Sequence, residues 1–246
     1  MAYDKPSLSY SSLDMYSTCP YRYRELYLRH KREPASKYLL YGSAFHELLD
    51  TIYLKENFAS LFAFQLWPQI LDKEMLKKKY STITNKEMLE IESNGRRDIP
   101  IFFELARREN LLHPAIEHEC ALEGHYRQHI LKAKIDLVTA IRGGIGILDW
   151  KTGKPDRKVL MQLALYAVLY SKKTGRTVDW ICPVYFKTKE VVYQAFDKDI
   201  QEEAGEYFSK IYEEFVKDKC FLPKVNRYCN TCSFKSTCGK WPKRSN

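Results

Sequence analysis

The run Ile145-Gly146-Ile147-Leu148-Asp149-Trp150-Lys151 constrains this chain more than any other segment. It is apolar at nearly every position until its end, as a strand covered on both faces must be. An apolar helical stretch, Pro155 to Thr174, follows at once, with Gly175 placed to close it. A doubly covered strand followed by a helix implies a central sheet with flanking helices, hence an α/β fold. The neighbouring segments agree. Ile116–Leu122, His125–Leu131 and Lys132–Ile141 read as strands, and Arg142-Gly143-Gly144 as a turn. Val178–Phe186 and Glu190–Phe196 read as two more strands, and Ile200–Lys217 as a helix.

Ahead of the sheet the pattern is helical. Residues 7–33 read as one helix, entered through Ser9, Ser11 and Ser12 and ended by Pro34. A second helix spans about Gly42 to Lys55, with Phe45, Leu48, Leu49 and Ile52 spaced three and four apart. Residues 58–112 read as a largely helical insertion, broken near Pro68, Asn94-Gly95 and Pro100. Cys220–Asn246 shows little periodicity. The 246 residues are expected to form a single domain. Its parts are an N-terminal helix (1–35), a helical part (36–114), the core sheet with its helices (115–217) and a cysteine-bearing tail (218–246).

Charge narrows the partners. Lys and Arg number 40 against 31 Asp and Glu, a net charge of +9, which points to a polyanion, most commonly nucleic acid. The 18 Tyr and 12 Phe offer faces for bases, although most must serve the core. No segment approaches the roughly 20 apolar residues that span a bilayer. The first residues carry no basic-then-apolar signal. An intracellular, cytoplasmic and reducing setting is therefore expected, with no membrane partner. Seven cysteines, an odd number, fit a metal or cluster site better than a secreted disulfide framework.

Asp149 and Lys151, two apart on a strand, point to one face. Asp136, in Lys134-Ile135-Asp136-Leu137-Val138, lies on a neighbouring predicted strand. Two strand carboxylates can converge on a hard divalent cation, Mg²⁺ or Mn²⁺. A lysine beside them can hold phosphate or water and offset developing charge. On its own, Asp-x-Lys could equally be a solvated pair. Gly42 and His46 share a helical face, where glycine permits close approach and imidazole would add a nitrogen ligand. Gln162 and Tyr166 share a face of the next helix and could bond a phosphate or orient Lys151. Such a pair is more often simple packing.

Cys229, Cys232 and Cys238 form C-x2-C-x5-C, and Cys19 stands far upstream before Pro20. Four thiolates could bind zinc or an iron–sulfur cluster. Metal–sulfur bonds would tie the N-terminal helix to the tail, with a ring that admits a single strand more readily than a duplex. Cys120, Cys182 and Cys220 are assigned to packing, with Cys220 a rival ligand. Beside Cys19, Arg22 and Arg24 could meet phosphates, and Tyr21 or Tyr23 could stack on bases. A helix packing through those tyrosines is an equal reading.

Taken in order, Gly42/His46, Asp136, Asp149/Lys151 and Gln162/Tyr166 resemble the RecB-like branch of the PD-(D/E)XK nucleases. The resemblance covers nearly the whole chain. It implies a restriction-endonuclease-like core sheet flanked by helices, with a helical insertion and a C-terminal iron–sulfur region. It implies that His46, Asp136, Asp149 and the carbonyl of Trp150 bind Mn²⁺ or Mg²⁺, and that Lys151 positions the attacking water. Gln162 and Tyr166 belong to the same catalytic set. One cysteine before the core and three after it resemble the AddB nuclease and CRISPR-associated RecB-like exonucleases. That pattern implies a [4Fe–4S] cluster on Cys19, Cys229, Cys232 and Cys238, with zinc the alternative. Ala133-Lys134 stands where relatives often carry a glycine. The implied activity is a metal-dependent DNA exonuclease for single strands or ends, serving recombination, repair, phage DNA processing or CRISPR adaptation. A helicase or CRISPR adaptation protein is a conceivable partner; any motor would be a separate chain, since no phosphate-loop motif is present. Two alternatives stand beside it: a non-catalytic nucleic-acid- or partner-binding protein of the same fold, and the nuclease subunit of a helicase–nuclease complex.

Overall fold

Helices dominate the first half of the chain, and the longer strands follow them with two further long helices among them. In order, β1 (Leu8–Ser9), α1 (Tyr10–Thr18), α2 (Pro20–Tyr23) and a π-helical turn at Arg24–Leu28 precede three longer helices. These are α3 (Lys37–Leu54), α4 (Ser60–Met75) and α5 (Asn85–Arg108). Then come β2 (Glu117–Tyr126), β3 (His129–Ile141), β4 (Gly144–Lys151), α6 (Arg157–Thr174), β5 (Trp180–Tyr185), β6 (Glu190–Val191), β7 (Gln194–Ala195) and α7 (Lys198–Lys217). Short 3₁₀ turns at Cys229–Thr231 and Lys235–Thr237 come last among the described residues. The computed structural model describes residues 7–34, 36–77, 82–126 and 129–240. They fall into two compact units, Ala35–Leu122 with Lys134–Ala204, and Met1–Pro34 with Glu123–Ala133 and Gly205–Asn246.

In the larger unit β4 is central. It pairs antiparallel with β3 (Leu137 opposite Leu148) and parallel with β5 (Asp149 opposite Pro183, Lys151 opposite Tyr185). A parallel pair needs a crossover, and α6 supplies it. Asp156 caps α6 by accepting the Lys158 N–H at 3.0 Å, and Gly175 closes it at φ 72°, a conformation glycine adopts without a Cβ clash. β6 and β7 both pair antiparallel with β5.

Helices α3, α4 and α5 share a core with Leu137, Leu148, Trp150, Val184 and Phe186. The ring of Phe45 lies 5.0 Å from Phe186, and Phe102 lies 5.7 Å from Trp150. The predicted breaks in this region do not occur. Pro68 lies inside α4, and Gly95 and Pro100 lie inside α5. Interior proline costs a helix about 3 kcal/mol, and the burial of Trp67, Ile70, Ile99 and Phe102 beside these residues outweighs it. Gly95 is not a breaker but a socket: a Cβ there would overlap the Trp67 ring. The second helix also starts earlier than expected, where the Ser36 hydroxyl caps the Leu39 N–H.

Two further expectations are corrected. The strands expected at His125–Leu131 and Lys132–Ile141 are one, β3, starting at His129. Arg127 and Gln128, within the first of them, lie outside the described residues. In the smaller unit the single helix expected over 7–33 breaks at Cys19, which is extended (φ −159°, ψ 102°) because the following Pro20 disfavours the helical region.

The smaller unit is built on aromatic rings. Tyr16 and Tyr23 lie 5.3 and 5.4 Å from Phe215 of α7. β1 pairs parallel with the start of β3 (Leu8 opposite Leu131). Glu25, fully buried, is held by Lys31 at 2.6 Å, Arg29 at 3.0 Å and Arg24 at 3.2 Å. Long-range bonds fasten the tail, among them Tyr16 Oη to Asp218 at 3.1 Å, Lys224 Nζ to the Ser17 carbonyl at 3.1 Å, Asn226 Nδ2 to the Thr18 carbonyl at 3.0 Å and Tyr21 Oη to the Thr237 carbonyl at 3.0 Å.

Candidate active site

The end of β4 carries Asp149 and Lys151, and α3 and β3 bring His46 and Asp136 to it. His46 Nδ1 lies 3.3 Å from Asp136 Oδ2, and the same oxygen accepts the Trp150 N–H at 2.8 Å. β3 and β4 are in register only as far as Leu137 and Leu148, so Asp136 turns to the backbone of β4 just beyond their pairing. Lys151 Nζ lies 2.5 Å from Asp149 Oδ2, off the line of a good hydrogen bond, and donates to Gln162 Oε1 at 3.4 Å. Gln162 Nε2 in turn donates to the Tyr166 hydroxyl at 2.9 Å. All of these residues belong to the larger unit.

The electrostatics separate the two acids. Burial, then the neighbouring Asp136, push the Asp149 carboxyl up to about 6, against the pull of Lys151 and His46. Burial would also raise Asp136, but His46, the Trp150 N–H and Lys151 hold it below the usual carboxylate range. Burial would lower His46 and Lys151, yet both are raised because Asp136 and Asp149 face them. A divalent cation would relieve Asp149 directly. Two carboxylates and an imidazole form a ligand set that suits Mn²⁺ or Mg²⁺. The side chain of Trp150 is buried against Tyr53, Phe102 and Phe186, so only its backbone could contribute.

One pair near this centre escaped the sequence reading. Asp50, one turn after His46 on α3, lies 2.5 Å from Nδ1 of His118 on β2. The four-residue spacing from His46 was the available signal. The Trp150 N–H bond to Asp136 had no signal, since it depends on how two strands part.

The cysteines divide as follows. Cys19, Cys229, Cys232 and Cys238 line one cavity of about 120 Å³ in the smaller unit. The Asn226 N–H donates to Cys229 Sγ at 3.3 Å. Burial raises the Cys232 thiol, against the backbone bond from Phe234 and the Arg22 charge, with Glu33 and then Cys19 adding to the rise. Four sulfur donors on one cavity fit a thiolate-bound group. Among the described residues, at this cavity and beside Asp149 alike, no group of three or more His, Cys, Asp or Glu side chains is arranged to hold a metal ion as it stands.

Cys182 is buried as expected and Cys120 donates to Glu117. Cys220 is exposed and does not line the cavity, so neither its packing role nor its rivalry as a ligand holds. The base-stacking expectation also fails. Tyr23 is 0% exposed and Tyr21 8%, the first inside the aromatic core and the second bonded to Thr237. Arg22 forms a two-pronged pair with Glu33, and Arg24 bonds Glu25 and the Cys220 carbonyl. Among the described residues no helix is long and apolar enough to cross a membrane.

A family model described as the PD-(D/E)XK nuclease superfamily matches residues 7–239. Among curated proteins nothing matches. The crystal structure of a "Putative exonuclease" from Eubacterium rectale is similar over 98% of this chain and 90% of that one, at 16% identity and a TM-score of 0.58. A crystal structure of SSO0001 aligns over 99% and 90%, at 15% identity and a TM-score of 0.42. At 16% identity the first likeness is one of fold alone.

Proposed function

Because this chain belongs to the PD-(D/E)XK nuclease superfamily, we propose that it hydrolyses DNA phosphodiester bonds with a divalent cation, working on single strands or ends. The observation that carries this reading is the junction of His46 and Asp136, on two different elements, beside Asp149 and Lys151. Those groups pack charge of both signs around the buried Asp149 in one half-buried place, an expensive arrangement unless a ligand uses it. His46, Asp136, Asp149 and the Trp150 carbonyl would hold Mn²⁺ or Mg²⁺. When bound, the cation supplies a more acidic water and neutralises charge on the phosphate.

The chain's own residues do the positioning. The Lys151 ammonium, steered by Gln162, can hold a phosphate oxygen or the attacking water through one of its remaining hydrogens. Asp149 keeps that ammonium at the strand end. Asp136, fixed by the Trp150 N–H, keeps His46 turned inward. The exonuclease mode draws on the family resemblance and on the Eubacterium rectale structure's name; net charge of +9 suits a polyanionic substrate.

The test is digestion of end-labelled single-stranded, duplex and RNA oligonucleotides with Mn²⁺, Mg²⁺ or EDTA, using wild type and Asp149→Ala. Cleavage by wild type alone, abolished by EDTA, is expected. Equal activity of Asp149→Ala would remove the catalytic reading. The four cysteines are proposed to hold a [4Fe–4S] cluster. Anaerobically purified protein should then be brown, with a broad absorbance band around 400 nm, and Cys232→Ser should lose it. Colourless protein loaded with zinc would replace the cluster by zinc and leave the nuclease reading intact.

A further inference from the structure

The helices around the core contain two glycines with opposite surroundings. Gly95 in α5 faces the Trp67 ring so closely that any side chain would collide with it. Gly42 in α3 has no such reason. Among the described residues a Cβ added there would meet only Thr152 Oγ1, at 3.8 Å, an ordinary contact. Glycine weakens a helix interior relative to alanine, so packing gives Gly42 no advantage. Its position does. His46 lies one turn further along the same face of α3. Thr152 follows Lys151 directly and is held by the end of β4, where the Phe186 N–H donates to the Lys151 carbonyl at 3.0 Å. Thr152 is half-buried, and its hydroxyl has no hydrogen-bond partner among the described residues. A Cβ added at Gly153, next in line, would meet none of the described residues within 4 Å.

We propose that Gly42 keeps open a seat above Thr152 for the backbone phosphate next to the one being cut, and that the Thr152 hydroxyl donates to it. This inference rests on the nuclease reading. Gly42 lies one turn from His46 and Thr152 follows Lys151, so the backbone phosphate next to one held at those groups would fall beside this pair. The seat recognises the sugar–phosphate chain, not a base, because a lone hydroxyl beside a bare helix face offers no pattern of donors and acceptors.

Binding of a fluorescent single-stranded oligonucleotide, with Ca²⁺ replacing the catalytic metal, separates the outcomes. Gly42→Ala should melt no lower than wild type, since the added methyl has room, yet bind about tenfold more weakly, the loss of roughly one charge-assisted hydrogen bond. Thr152→Ala should weaken binding by several-fold, and Thr152→Ser should restore it, which a merely structural threonine would not do. Wild-type binding by both Gly42→Ala and Thr152→Ala overturns the seat and leaves the nuclease reading standing. A wild-type protein that neither binds nor cuts any oligonucleotide overturns both.

Discussion

Among the described residues four carboxylates are almost wholly buried, Glu25, Glu74, Asp98 and Asp149, and the first and last, one in each unit, are treated in opposite ways. Asp149 is 5% exposed and Glu25 0%. Glu25 has Arg24, Arg29 and Lys31 around it, and together they outweigh its burial and hold its carboxyl below the usual value. Asp149 has burial and a second acid against it and one close ammonium in its favour, so its carboxyl is pushed up to about 6. Glu25 is over-supplied with positive charge and can only be structural. Asp149 is under-supplied, which is how a group that waits for a cation should look. The lesson is that burial of an acid says little until its counter-charges are counted.

The sharpest way to break the contrast is to neutralise each acid. Asp149→Asn should lower oligonucleotide cleavage by about 10³-fold or more, as loss of a metal ligand and of Lys151's anchor would; Glu25→Gln, assayed well below its melting temperature, should cut nearly as well as wild type. Next in size is stability. Glu25→Gln should cost about 3 kcal/mol at neutral pH, because three cations lose their shared partner. A carboxyl with a lowered pKa contributes above the ordinary value of 4.5 and loses that contribution as pH falls through its folded value. The Glu25→Gln deficit in denaturant melts should therefore shrink below pH 4.5.

Smaller, and opposite in sign, is the effect of Asp149→Asn on metal-free protein. A raised pKa means stability present below the ordinary 3.8 and lost as pH rises through about 6. The asparagine variant should equal wild type at the acid end and melt a few degrees higher above pH 6, and added Mn²⁺ should raise the wild-type melting temperature but not the variant's. A variant that melts lower at every pH would show Asp149 to be structural after all. The smallest change should come from Arg29→Met, since that side chain is 45% exposed and two cations remain on Glu25, a loss under about 1 kcal/mol.

Much of the larger unit was legible because its signals are local. The apolar run of β4, the Asp149–Lys151 spacing and the αL glycine closing α6 each follow from side-chain alternation or a single backbone angle. What was misread depends on distant partners. Pro68, Gly95 and Pro100 look like breaks until Trp67 is seen against Gly95. Tyr21 and Tyr23 look like stacking platforms until Phe215 and Thr237, almost two hundred positions away or more, are found against them. For the site, sequence order brought the right residue types into question. It could not show that Asp136 would be oriented by a backbone N–H, or that Asp50 and His118 would pair one turn from His46.

The row Lys151, Gln162, Tyr166 has a direction. An ammonium has no lone pair to offer, so Gln162 must turn its oxygen to Lys151 and its nitrogen to Tyr166. The phenol oxygen is thereby used as an acceptor, and its own hydrogen points onward with nothing among the described residues to take it. A glutamate at 162 would reverse that last link and turn the hydrogen back into the protein. The amide thus decides that the row ends in a donor rather than an acceptor.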